Sequence, residues 1–175
     1  MHMVYKVLVS CLPPPHLCKL LTLVRSCFMD AYNLTFDDLR LFDYAIVAQN
    51  KGQFVGVLFV SKRTNHNNDV PLDSIGSGDA CHDSVHLEPP ETVHDIQYLC
   101  VCKEFRKHNI ASELLDCCKA ELAANEEVGI NSKLSAILYK QTFKSDIVRQ
   151  QLKVFFEMND FKVRSENEEV ICMYT

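Results

Sequence analysis

The spacing of apolar residues changes period several times along this chain, and each change marks the boundary of a predicted element. Residues 4–11 read as a first strand, stopped by Pro13, Pro14 and Pro15, which cannot donate to a ladder. Leu17, Leu20, Leu21, Val24 and Phe28 then recur at helical spacing, so a helix starts at Pro14 or Pro15, prolines being tolerated in a first turn. Thr35, with Asp38 three residues on, resembles a capping box in which Asp replaces Glu and predicts a short helix over 35–41. Residues 44–49 and 54–61 read as strands joined by the turn Asn50-Lys51-Gly52-Gln53. From Val93 the order is strand, helix, strand at 134–140, helix at 145–159, and a hairpin of 161–164 with 170–174. The last helix carries Ile147, Val148, Leu152, Phe155 and Phe156 as its expected buried stripe. A closing βαβα pattern of this kind implies a partly parallel sheet with helices packed on its faces.

Residues 64–92 break the pattern, with Asn, Asp, Ser, Gly and Pro dominating and few large apolar groups. A connection of this length inside a compact domain is uncommon. A substrate lid and a mobile insertion both fit it.

At 175 residues the chain is long enough for one domain with a substantial core, and a single domain over 1–175 is expected. A hydrophobic content of 47% is an ordinary globular value, and a net charge of −5 argues against nucleic acid as a partner and suits a cationic amine better. No apolar run approaches the roughly 18 residues a membrane helix needs, so no membrane partner is expected. Lys6 and the proline run interrupt anything like a leader sequence, which points to reduced cysteines and a cytoplasmic location. The monomer and the homodimer both remain open. Cys81, His82, His86, His94, Cys100 and Cys102 lie close together in sequence, but they include no Cys-x-x-Cys, and no metal is expected there. Cys117 and Cys118 diverge by about 100° on a helix, so at most one faces the core.

The richest segment is 99–115, where a strand runs into a basic turn and then an amphipathic helix. Ile110, Leu114, Leu115, Cys118 and Leu122 share one helical face, which starts the helix at or near Asn109. Arg106, Lys107 and His108 stand just before that start. Free N–H groups and the helix dipole there, with flanking cations, favour a phosphate or pyrophosphate. An ordinary strand-to-helix connection with solvated charges is the alternative. Another nucleotide site is disfavoured, because neither Gly-x-x-x-x-Gly-Lys-Ser/Thr nor Gly-x-Gly-x-x-Gly occurs.

These residues resemble the GNAT superfamily of acyl-CoA-dependent N-acyltransferases, whose signature Arg/Gln-x-x-Gly-x-Gly/Ala follows a hydrophobic strand and opens a helix. Here the segment reads Arg106-Lys-His-Asn109-Ile-Ala111, preceded by Leu99-Cys-Val101 and followed by Leu114-Leu115. Phe155-Phe-Glu-Met-Asn-Asp-Phe-Lys-Val163 is similar to the family's closing Phe-Tyr-Glu-Lys-Leu-Gly-Phe-x-Val. The likeness covers residues 44–175 well and the first 43 in outline. The run from Val101 through Phe105, Arg106 and Ile110 to Ala111 and Ser112 looks closest to the arylalkylamine or polyamine branch.

The resemblance implies a mixed α/β (α+β) fold with a mostly antiparallel central sheet of about seven strands and helices on both faces. It implies acetyl-CoA as cosubstrate and transfer of its acetyl group to a primary amine, a small molecule or a peptide, by direct attack on the thioester. By resemblance Leu99, Cys100 and Val101 hold the pantetheine arm between splayed strands. Arg106, Lys107, His108, Asn109, Ile110, Ala111 and Ser112 take the pyrophosphate. Asp95 occupies the place where some members carry a glutamate that deprotonates the amine through a water; ending a strand or pairing with a surface cation is the alternative reading. Asp30, Asp37 and Asp38 are second candidates. Three positions depart from the pattern: Asn109 and Asp160 replace glycines, and Phe156 stands where a tyrosine often protonates the leaving thiolate. Tyr139 and Tyr98 are the substitutes for that hydroxyl. These departures motivate a second reading, a degenerate domain that binds acyl-CoA or a partner without turnover.

Overall fold

The computed structural model describes residues 2–28, 33–65, 91–126, 132–139 and 145–175. In order these form β1 (Met3–Leu8), α1 (Pro14–Cys27), α2 (Phe36–Arg40), β2 (Tyr44–Asn50), β3 (Gln53–Asn65) and β4 (Glu91–Val101). They continue as α3 (Ile110–Glu126), β5 (Ser132–Tyr139), α4 (Asp146–Glu157), β6 (Lys162–Glu166) and β7 (Val170–Tyr174). The strands make one seven-stranded sheet in the order β1-β2-β3-β4-β5-β7-β6. Every pairing is antiparallel except β4 with β5, which α3 connects as a parallel crossover.

Helices cover both faces. On one, α1 buries Leu17, Leu20, Leu21, Leu23 and Val24 against Ala45, Val47, Val57, Phe59 and Cys100. On the other, α3 buries the predicted stripe Ile110, Leu114, Leu115, Cys118 and Leu122 against Ile46, Ala48, Leu58 and Val60. Cys118 is fully buried while Cys117 is half-buried, as the 100° divergence requires. Local signals in the sequence act as expected at the joints. Thr35 and Asp38 close a reciprocal capping box, and Lys51 and Gly52, with φ of 47° and 79°, form the tight turn between β2 and β3.

Three expectations need correction. Residues 9–11 wind into a 3-10 turn, with Leu12 N–H donating to Val9 at 3.1 Å, because the extended backbone that Pro13 imposes on Leu12 ends the strand early. The segment 64–92 is strand at both ends: Thr64 pairs with Thr92 and Asn65 with Glu91. The polar residue types of these four positions concealed that extension. Between them, residues 66–90 lie outside the described residues, and with them the lid question and Cys81, His82 and His86. In α4 the buried positions are Arg149 and Phe156, with Leu152 and Phe155 packed alongside, whereas Ile147 and Val148 are 70% and 41% exposed. The helix turns 149, 152 and 156 toward the sheet, at spacings of three and four, and leaves 147 and 148 on the outside.

Candidate active site

The parallel ladder between β4 and β5 is short. It runs from Thr92 with Ser132 to Ile96 with Ala136 and stops, after which β5 pairs with β7 and the β5-facing edge of residues 97–101 has no strand partner among the described residues. A bulge accompanies the parting, since Phe59 faces Tyr98 while Val60 faces Ile96, leaving Gln97 unmatched. The bulge also switches the pleat. Leu99 and Val101 pack toward α3, whereas Tyr98, Cys100 and Cys102 pack toward α1.

The strand ends in a 3-10 turn over Lys103–Phe105 and then a loop that opens α3. Lys107 and Asn109 both take left-handed backbone conformations, with φ of 65° and 63°. Asn109 thus holds the conformation that the signature's glycine supplies, as asparagine does more readily than most residues. Its carbonyl accepts from Glu113 N–H at 3.1 Å, the first bond of the helix, so the N–H groups of Ile110, Ala111 and Ser112 are without partners inside α3. His108 Nδ1 lies 2.9 Å from the Arg106 carbonyl, to which it donates. The exposed Arg106 side chain bends back along the strand end: Nε donates to the Val101 carbonyl at 3.2 Å and Nη2 lies 4.0 Å from Cys27 Sγ.

These pieces border one open groove of about 1420 Å³. Leu99, Cys100 and Val101 form its strand wall, Arg106, Lys107, Asn109, Ile110, Ala111 and Ser112 its turn, and Val148, Gln151, Leu152 and Phe155 of α4 the opposite wall. Lys119 bridges to Asp160 at 2.9 Å and so ties α3 to the end of α4 at the rim. Asp160 has φ of 67°, again the conformation of the glycine it replaces, and the lysine holds its carboxyl below the usual range. Among the predicted turn residues, His108 is absent from the lining.

Asp95 is not at the groove. It sits on the still-paired part of β4 and, by alternation from His94 and Ile96, faces the same side as Tyr98 and Cys100. Arg63 donates to it from Nε at 2.6 Å and from Nη2 at 3.3 Å, and the Ser135 hydroxyl donates to it as well. Asp38 is committed to the α2 cap, where bonds from Thr35 lower its pKa. Asp30 and the Tyr139 side chain lie outside the described residues. Phe156 is buried against Phe161, with ring centroids 5.0 Å apart, and the ring that α4 brings to the groove is Phe155, alongside Phe28 and Phe105 from other elements. Tyr98 packs edge-on against Phe28 and Phe42, and burial raises its pKa.

Sequence reasoning missed Cys27, the last residue of α1. It lines the groove beside Cys100, and its pKa falls to about 6, chiefly through a hydrogen bond from Cys100, with Ser26 and Arg106 adding to the effect and burial opposing it. No local pattern marks it, because its neighbours in space come from β4 and from the turn.

No family model matches the sequence, and no curated protein does. Solved structures do resemble it over nearly their whole length. An acyl-CoA N-acyltransferase from Pseudomonas aeruginosa matches with a TM-score of 0.60 at 16% identity, covering 99% of each chain. An aminoglycoside 6'-N-acetyltransferase complexed with coenzyme A gives 0.63 at 14% identity, covering 99% of this chain and 96% of its own. Arabidopsis thaliana Naa50, in complex with the bisubstrate analogue CoA-Ac-MVNAL, gives 0.58 at 13% identity over 98% and 97%. The chain therefore has the fold of the GNAT acyl-CoA N-acyltransferases.

Proposed function

We propose that this protein is an acyl-CoA-dependent N-acetyltransferase that moves the acetyl group of acetyl-CoA to a primary amine, most simply a small one. The observation that carries the reading is the continuity of one groove from the unpaired edge of residues 99–101 to the left-handed turn at the start of α3. An extended pantetheine arm can pair with that edge as a strand would, while the pyrophosphate takes the free N–H groups of α3 and the charges of Arg106 and Lys107. A strand N–H aimed at the thioester oxygen contributes on the order of 3 kcal/mol as negative charge develops there.

In the simplest course the amine attacks the thioester carbonyl from the α1 side of the sheet. Asp95, on that side, receives the amine proton through water, with Arg63 and Ser135 holding it in place. Tyr139, three residues beyond the last β4–β5 pair, is the proposed proton donor to the departing thiolate. Two proteins of the same fold support a small-molecule or a peptide acceptor, one named for an aminoglycoside and one bound to the analogue CoA-Ac-MVNAL. The net charge of −5 favours a cationic acceptor in either case. The absence of a hydroxyl at Phe155 and Phe156 supports the second reading, an acyl-CoA binder without turnover.

Calorimetric titration of acetyl-CoA into the protein, followed by thiol release in the presence of arylalkylamines, polyamines, aminoglycosides and short peptides, tests both. Binding with release identifies a transferase and its acceptor class. Binding without release on any acceptor selects the second reading, and no binding overturns both.

A further inference from the structure

Helix covers only half of the α1 side of the sheet. α1 packs on β3 and β4, and α3 and α4 lie on the opposite face, which leaves the α1 side of β5, β7 and β6 without a helix among the described residues. One row of residues crosses that open half. Asp95 pairs with Ser135, Ser135 with Tyr174 and Tyr174 with Lys162, and direct partners share a face. Arg164 joins the row from β6, where a bulge between Val163 and Ser165 takes it out of the ladder. Its guanidinium stands over the Tyr174 ring, 5.4 Å from the centroid.

The charge along this row is lopsided. Asp95 is already answered by Arg63 at 2.6 Å, whereas Lys162 and Arg164, at the far end, meet no carboxylate among the described residues. The acid of β6 points the other way, since Glu166 pairs with Ile171 on the opposite face and bridges to Lys153 of α4. Charges beyond a Debye length of about 8 Å are largely screened, so these neighbours, more than the net charge of −5, set the field on this half of the face.

We propose that the acceptor is a zwitterion, an amine that also carries a carboxylate, with Lys162 and Arg164 holding the carboxylate while the nitrogen stands at Asp95. This rests on the acyl-CoA reading and names the acceptor class for it. Neighbouring strands lie about 4.8 Å apart, so Asp95 and Tyr174, two strands over, are separated by roughly 10 Å. That span fits a long-chain ω-amino acid, or a peptide with an acidic side chain close behind its free N-terminus. The Arg164 fork can take the carboxylate in two bonds while Tyr174 keeps the guanidinium flat. The carboxylate takes no part in the transfer and fixes only where the nitrogen stands.

The test measures transfer from acetyl-CoA to matched acceptors. An ω-amino acid is set against the alkylamine of equal length, and short peptides differ only in carrying glutamate, glutamine or lysine behind the N-terminal residue. The expected result is a kcat/KM at least about tenfold higher for the carboxylate-bearing member, with the gap shrinking as salt is raised. Lys162 and Arg164 are both exposed, so the double variant Lys162→Glu, Arg164→Glu should fold, keep its calorimetric affinity for acetyl-CoA and shift the preference to the lysine peptide. A preference seen with the ω-amino acid alone, or with the peptide alone, supports the inference and identifies the source of the acceptor. Equal efficiency for all acceptors, or a preference that the reversed charges do not move, overturns the inference and leaves the transferase reading standing. If the coenzyme binds but no acceptor is acetylated, calorimetry of the same peptides on the coenzyme-loaded protein decides. Tighter binding of the glutamate peptide, lost in the double variant, supports the inference, and equal binding overturns it. Absence of coenzyme binding overturns both.

Discussion

The Tyr44 hydroxyl lies 2.8 Å from Nδ1 of His94, and both side chains are buried in the core beneath α3. Burial pushes the tyrosine pKa well up, so its hydroxyl keeps its one proton, for which Nδ1 of His94 and Cys118 Sγ, the latter at 3.4 Å, are the two partners. Burial also pushes His94 down to about 4, assisted by the charges of Lys62 and Lys6 and opposed by Asp43 and Asp95. The unfolded chain takes up a proton on His94 near pH 6.5, whereas the folded one declines it until about pH 4. Stability from this group is therefore complete above about pH 6.5 and falls as pH drops toward 4, by at most about 3 kcal/mol. Urea melts across that range should show the slope in the wild type and lose most of it in His94→Gln. An equal slope in both locates the acid sensitivity elsewhere.

Asp95 is held from two sides, by Arg63 of β3 and by Ser135 of β5. If it serves as the base, Asp95→Asn lowers turnover about a hundredfold with little change in coenzyme affinity. Arg63→Ala then leaves measurable activity, because it removes a partner and not the carboxylate. Full turnover in Asp95→Asn, with an unchanged pH profile, leaves the pair a strut between strands. Tyr139→Phe is the companion variant and slows turnover without weakening coenzyme binding.

The sequence made the scaffold legible where one signal per residue suffices. The apolar stripe of α3, the Thr35 and Asp38 cap and the turn at Lys51 and Gly52 are local features, and each forms. It failed where packing partners come from afar. Ile147 and Val148 have the right spacing for burial, but the sheet meets α4 along Arg149 and Phe156, a choice fixed by how β6 and β7 close the fold. Cys27 escaped notice for the same reason, since Cys100, Val101 and Arg106 meet it only after α1 packs on β4. Asp95 was singled out by its spacing from Leu99, yet the bulge at Gln97 and the ion pair with Arg63 show only in three dimensions.

Arg106 and Lys107 flank the free N–H groups at the start of α3, so truncating either should weaken binding of a diphosphate-bearing coenzyme. A charge-assisted contact contributes about 1.5 kcal/mol, so each of Arg106→Ala and Lys107→Ala is expected to cost roughly tenfold in calorimetric affinity. The loss should shrink as salt is raised, because both cations are exposed. Unchanged affinity in both variants moves the pyrophosphate away from this turn.

Asn109 carries a φ of 63° at the residue that opens α3. Asn109→Gly fits that conformation without strain and should preserve both the melting temperature and coenzyme affinity. Asn109→Val brings a β-branched side chain to the same backbone and should cost about 1–2 kcal/mol, measurable by chemical denaturation. If valine and glycine behave alike, the turn relaxes away from the left-handed conformation.

Gly56 of β3 sits directly under this helix start. A Cβ there would meet Ile110 Cγ2 at 2.9 Å, Leu114 Cδ1 at 3.2 Å and Ala48 Cβ at 3.4 Å. Gly56 also pairs across the ladder with Val101, so its bare backbone lets α3 approach the sheet at the point where the strand wall meets the turn. Gly56→Ala should lift the first turn of α3, costing about 1–3 kcal/mol in stability. Because the N–H groups of residues 110–112 move with that turn, coenzyme affinity should fall several-fold in the same variant. Adding Ile110→Ala removes the atom in closest conflict, so the double variant should lose less than the two single losses combined. Stability lost with affinity intact would mean that the coenzyme does not use this helix end, and the groove would then have to hold its ligand by the strand edge alone.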